Sequence, residues 1–106
     1  TPYGVMDQAI KNKMDVIAIT EHGPSTHSLV TNTFFSMLPR APRNYNGLKV
    51  LWGCEANLID LDGNIDLNQK AISQLDVLLI GLHSMSYCKD GDINKNSIAL
   101  INKIFY

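Results

Sequence analysis

The sequence predicts an α/β fold built on a parallel sheet, and three observations carry that reading. Three short apolar runs, Val16–Thr20, Lys49–Cys54 and Val77–Gly81, read as buried strands. Segments of helical period separate them, and strands alternating with helices imply right-handed crossovers between parallel neighbours. The chain has 106 residues. That is room for about three βα units, where a whole (β/α) barrel takes roughly 250 residues. The expectation is one partial domain over residues 1–106, with a small β-hairpin added.

Each element has a local cause. Thr1-Pro2 reads as an N-cap followed by proline at the first helical position. Val5, Met6, Ala9, Ile10 and Met14 then share one helical face, which predicts a helix from Pro2 to about Lys13. Glu21–Ser25 reads as loop, and Thr31–Leu38 as a short helix ended by Pro39. Arg40–Gly47 reads as an irregular link. Leu58–Leu61 and Asn64–Asp66 flank Asp62-Gly63, the pattern of a hairpin with a tight turn. Asn68 is placed to cap a helix running to Leu75. Ser84–Asp92 reads as loop, and the last helix begins at Ile93 or Asn94. That helix reaches Tyr106 with no closing Gly, Asn or Pro, and the first helix opens directly at Thr1. A segment cut at both ends accounts for both features.

Composition narrows the function classes. Apolar residues make up 45% and charged residues 18%, which fits a packed domain rather than a disordered one. The net charge is −1, with no basic stripe, so nucleic acid is not an expected partner. No apolar run approaches the roughly 20 residues of a membrane helix, and no signal-peptide pattern opens the chain. Cys54 and Cys88 form no Cys-x-x-Cys pair. They read as reduced thiols in a cytoplasmic protein, with a single disulfide left open.

Each of the three strands runs into a metal-capable side chain: Glu21-His22 after the first, Glu55 after the second and His83 after the third. In parallel α/β folds the C-terminal strand ends form the functional face. One such residue alone is a polar side chain where a strand meets water; three on one rim point to a site. Imidazole nitrogen with carboxylate oxygen suits zinc, manganese or iron. Two such metals held about 3.5–4 Å apart can activate a water against a phosphoester. Strand alternation turns Cys54 away from its neighbour Glu55, into the packing. His27 is expected to face water. Asp60–Asp66 fails as a calcium loop, because Ile65 stands where that loop needs glycine. Arg40 and Arg43 could each grip a phosphate; both also read as solvated loop charges, and for Arg43 that reading is the stronger.

These residues fall in familiar motifs. Ile17–Pro24 (IAITEHGP) resembles the "ITDHGP" motif of the PHP family, named for polymerase and histidinol phosphatase, in its metal-dependent phosphatase branch. Leu51–Asn57 (LWGCEAN) is similar to that family's "GxEAN" motif. Leu61–Asp66 resembles its "DGxID" hairpin, and Leu75–His83 its "LDLIIAGFH" strand. Phe34, Met37, Pro39 and Arg40 resemble the link of the phosphatase branch. The resemblance implies a distorted (β/α)7, TIM-like barrel holding up to three divalent metals, zinc foremost, with manganese or iron as alternatives. By it His22 binds one metal, Glu55 bridges two and His83 binds one of those two. Glu55 and His83 would then serve catalysis and Arg40 would bind substrate.

The implied activity is hydrolysis of a small phosphorylated substrate, a phosphomonoester, through a metal-activated hydroxide. The family's opening His-x-His and its later His and Asp-x-His are missing from this chain, so the chain alone is expected to be inactive. Glu21 stands where Asp is commoner, and Ser84-Met85 where Glu-Pro is frequent. Two other readings stay open: a metal-dependent amidohydrolase, or a non-catalytic metal-binding or structural remnant.

Overall fold

The computed structural model describes residues 1–26, 30–81 and 93–105. Its centre is a four-stranded sheet. Strand β1 (Val16–His22) and strand β4 (Val77–Gly81) both run parallel to the long strand β3 (Leu48–Asn57). The short strand β2 (Asn44–Tyr45) pairs antiparallel with the start of β3. The three expected strands are therefore parallel and adjacent in the expected order, with β3 in the middle. Among the described residues no strand pairs the outer edge of β1. Helix α1 (Pro2–Lys11) precedes β1; short helices α2 (Asn32–Ser36) and α3 (Gln69–Ile72) lie in the connections; α4 spans Ile93–Phe105.

The caps sit where the sequence places them. Thr1 Oγ1 accepts from Gly4 N at 3.1 Å, and Asn68 Oδ1 accepts from Ala71 N at 2.8 Å. The ends differ in instructive ways. Helix α1 stops at Lys11, short of Lys13, because Lys13 adopts φ 59°. Met14 N donates to Ala9 O, and Lys13 N donates to Ile10 O, the bonds of a left-handed helix stop. Lysine gives no hint of that conformation, which usually falls to glycine. Lys13→Gly should raise stability by about 0.5–1 kcal/mol, read from urea unfolding.

Two strands run further than expected. Glu21 and His22 are the last residues of β1 rather than loop, since the ladder with β3 continues through Glu21↔Cys54 and His22↔Glu55. Strand β3 likewise extends past Cys54 to Asn57. Pro39 does not end α2 directly but lies inside a 3₁₀ turn, Leu38–Arg40. The expected tight hairpin is a wider loop with a single bridge, Leu58↔Ile65. Asp60 closes it, its carboxylate accepting from Asp62 N, Asn64 N and Asn64 Nδ2 at 2.9, 3.0 and 2.7 Å. Helix α3 ends at Ile72, three residues before Leu75.

The sheet has one packed face. Leu48, Val50, Trp52, Cys54 and Ala56 of β3 are all buried on it, with Met6 and Ala9 from α1, Phe35 and Leu38. Ile17 and Ile19 of β1, and Leu78 and Ile80 of β4, join them. The other face is barer: Val16 is 46% exposed and Leu79 48%. Strand alternation puts His22 and Glu55 on that barer face.

Candidate functional site

His22 and Glu55 are register partners on neighbouring parallel strands, so their side chains rise side by side from the same face. His22 Nδ1 lies 3.2 Å from Glu55 Oε2. The ladder closes just beyond them, where Gly23 N donates to Glu55 O at 2.9 Å. Glu21 turns back on its own strand, its Oε1 accepting from His22 N at 3.0 Å. Imidazole and carboxylate thus stand half-exposed at the C-terminal end of the sheet.

Cys54 takes the opposite direction. It is fully buried, and desolvation first, then the nearby carboxylates, push its thiol up to about 12. A thiol held protonated in the core is packing, as alternation requires.

The other expected site residues have different places. His83, His27 and Cys88 lie outside the described residues. Arg40 is exposed at the end of the 3₁₀ turn, and the chain leaving it joins β3 at Leu48-Lys49, the end away from Glu55. Arg43 is not a solvated loop charge. Its Nη1 donates to the carbonyls of Leu38 and Ala41, and its Nε donates to Asp76 Oδ2 at 3.1 Å. Asp76 Oδ2 also accepts from Trp52 N at 2.9 Å. This set ties the α2–β2 connection to the start of β4.

Asp66 is the residue that sequence reasoning left in the hairpin without a task. Its carboxylate accepts from Asn57 N and Nδ2, both at 2.7 Å, and from Ser25 N and Oγ at 2.9 and 2.7 Å. Asn57 Nδ2 also reaches Thr26 Oγ1 at 2.8 Å. A methyl group on Gly23 would come within 2.5 Å of the Asp66 carboxylate, so that position needs glycine for the approach. The sequence signal for Asp66 is its place at the end of the Leu61–Asp66 motif.

Acid should act on both braces. Desolvation opposes the charged form of Asp66, but the bonds from Asn57 and Ser25 outweigh it and hold the carboxyl below its usual value. Trp52 N is the first cause of the same lowering at Asp76, with Arg43 adding to it. A depressed folded value means stability is fully present above the unfolded pKa, near 3.9, and is lost as pH falls through the folded values. The urea midpoint should therefore hold steady down to about pH 5 and drop below about pH 4. A midpoint that falls between pH 7 and 5 instead would assign the loss to other groups.

The donors of His22 and Glu55 fit a borderline divalent metal, one nitrogen and one carboxylate oxygen. They are two of the four that a tetrahedral site takes. Among the described residues no group of three metal-capable side chains gathers. A cleft of about 430 Å³ between α1 and β1 is lined by Gly4, Val5, Gln8, Ala9, Met14 and Ile17, with no His, Cys, Asp or Glu. It lies apart from the pair.

The chain is similar to bacterial proteins named probable phosphatases. It is 32% identical over 97 residues to one from Thermoanaerobacter sp. (strain X514), covering 92% of this chain and 40% of the relative. One from Caldicellulosiruptor saccharolyticus is 35% identical over 106 residues, 96% of this chain and 44% of the relative. One from Proteus mirabilis is 40% identical over 76 residues, 72% of this chain and 31% of the relative. The chain spans about 40% of the length of the relatives it matches. No family model matches it. Among the described residues no helix is long and apolar enough to cross a membrane.

Proposed function

We propose that this chain is part of a metal-dependent phosphoesterase of the PHP type, acting on phosphomonoesters. The observation that carries the reading is the His22–Glu55 pair, 3.2 Å apart at the C-terminal ends of two parallel strands. The similarity to probable phosphatases supports it. The barer, partly apolar sheet face that bears the pair, with Val16 and Leu79 about half exposed, supports a partial barrel, because a parallel sheet is expected to be covered on both faces.

In this reading His22 and Glu55 would hold divalent metal, with His83 as a further donor. A bound divalent ion supplies a Lewis acid that activates water and offsets charge on the phosphoryl oxygens. The chain's own part is geometric. Strands β1 and β3 fix the backbone of both donors in one ladder, so neither must be ordered when substrate arrives. Glu55 also supplies the negative charge that balances a dication.

The test is hydrolysis of p-nitrophenyl phosphate by the protein at its relatives' full length, with and without a chelator. Turnover that a chelator abolishes and divalent metal restores is expected. No turnover in the metal-loaded protein, across several phosphomonoesters, would sink the reading. Arg40→Ala resolves the substrate assignment in the same assay. A raised KM with kcat unchanged keeps Arg40 as a phosphate ligand, and unchanged values for both remove it.

A further inference from the structure

We infer that Asp66 is a positioning residue for the His22–Glu55 pair, clamping the loop after β1 to the end of β3 so that the two donors face each other. The inference rests on the proposed use of that pair. Its geometry is independent of any bound group.

Asp66 sits beyond the wide loop that follows β3, yet its carboxylate binds both arms that carry the pair. Ser25, three residues after His22, donates from N and Oγ; Asn57, two residues after Glu55, donates from N and Nδ2. Asn57 is fully buried, so those bonds satisfy donors that water cannot reach. Between the two arms, Gly23 N donates to Glu55 O at 2.9 Å, the last rung of the ladder beside the pair. Gly23 is buried and leaves no room for a side chain against Asp66. Three of the four donors converge on Asp66 Oδ2, and Asn57 N reaches Oδ1. Oδ2 thus joins the two arms directly, since donors from both Ser25 and Asn57 meet on it.

A purely structural role would look different. Asp76 provides the comparison: it braces β3 at Trp52 and binds Arg43, but it touches neither arm of the site. Loss of either carboxylate should lower stability. Only loss of Asp66 should loosen the pair.

The experiment compares Asp66→Asn with Asp76→Asn, and adds Ser25→Ala as a milder cut in case Asp66→Asn does not fold. In the protein at its relatives' full length, NMR reads amide exchange of Gly23 against Lys49, whose N donates to Asp15 O at the other end of the sheet. It also reads the imidazole 15N shifts of His22. The expected result is exchange about tenfold faster than wild type at Gly23 but not at Lys49, with moved His22 shifts, in Asp66→Asn and to a lesser degree in Ser25→Ala. Asp76→Asn should leave both signals in place. At full length, Asp66→Asn should lower kcat about tenfold or more, in the range of lost supporting bonds to metal ligands, with KM nearly constant.

Uniform acceleration across the sheet, the same in both Asp variants, would reduce Asp66 to a stabilising residue and overturn the inference. So would unmoved His22 shifts in an otherwise active protein. Moved shifts in a full-length protein that hydrolyses no phosphomonoester would overturn the proposed function and leave the clamp standing.

Discussion

Gly53→Ala should destabilise this chain more than the same change at Gly23 or Gly47. A methyl group at Gly53 would lie 2.0 Å from Val77 O and 2.9 Å from Val77 C. Those are backbone atoms of the neighbouring parallel strand, paired with Gly53 at the first rung between β3 and β4. The strand cannot easily withdraw. Asp76 N donates to Trp52 O at 2.8 Å, and the Asp76 carboxylate holds Trp52 N at 2.9 Å, one residue before the clash. Relief therefore requires breaking that pinning or bending β3 where it is buried. The cost is expected to reach about 3 kcal/mol, the upper end for overpacking. In a domain of this size that lowers Tm by about 12–20 °C.

Gly47→Ala is the matched control for that measurement. Gly47 has φ 86°, and a methyl group added there would meet nothing within 4 Å, so only backbone strain applies. Its cost should stay near 1 kcal/mol, about the penalty of the left-handed conformation. Equal losses from the two substitutions would show that β3 and β4 do not approach so closely at Gly53.

Much of this was legible in the sequence, and the reasons are specific. Val77–Gly81 is a strand with the expected ends because Asp76 before it and the apolar run within it mark both burial and start. Thr1 and Asn68 cap as expected because a side-chain oxygen next to orphan helix N–H groups has few better partners. The parallel order follows from strand–helix alternation alone. What was misjudged depends on partners distant in sequence. Glu21, His22 and Glu55 read as loop or strand-end residues because they are polar, and only the ladder between β1 and β3 makes them strand. Arg43 reads as a loop charge until Asp76, 33 residues away, comes beside it. Asp66 reads as hairpin until Ser25, 41 residues back, fills its carboxylate. Local propensity carries no record of such contacts. For the site, the residue types at the strand ends pointed to His22 and Glu55, and the fold brings those two together.

The largest effect on activity is expected from Glu55. At full length, Glu55→Gln should lower kcat by about 100-fold or more, with KM nearly unchanged. The substitution keeps the side chain's length and removes its charge, so it separates electrostatic from packing roles. The packing role is small: the Glu55 side chain is 35% exposed, and its partner His22 is 50% exposed. An exposed pair of this kind contributes at most about 1 kcal/mol, so the fold should survive the change. The proposed catalytic role is different in kind. If Glu55 bridges two metals, its charge offsets both, and losing it should also lower the metal content of the purified protein, measured by elemental analysis. In the proposed reading His22→Ala should lower kcat by a comparable factor, because the two side chains would serve one centre. Residues that act as a unit are not additive, so the double variant should be little worse than either single one. Independent contributions would instead multiply. A double variant slower by the product of the two factors, or a Glu55→Gln protein of full activity and metal content, would remove the shared role that the 3.2 Å contact supports.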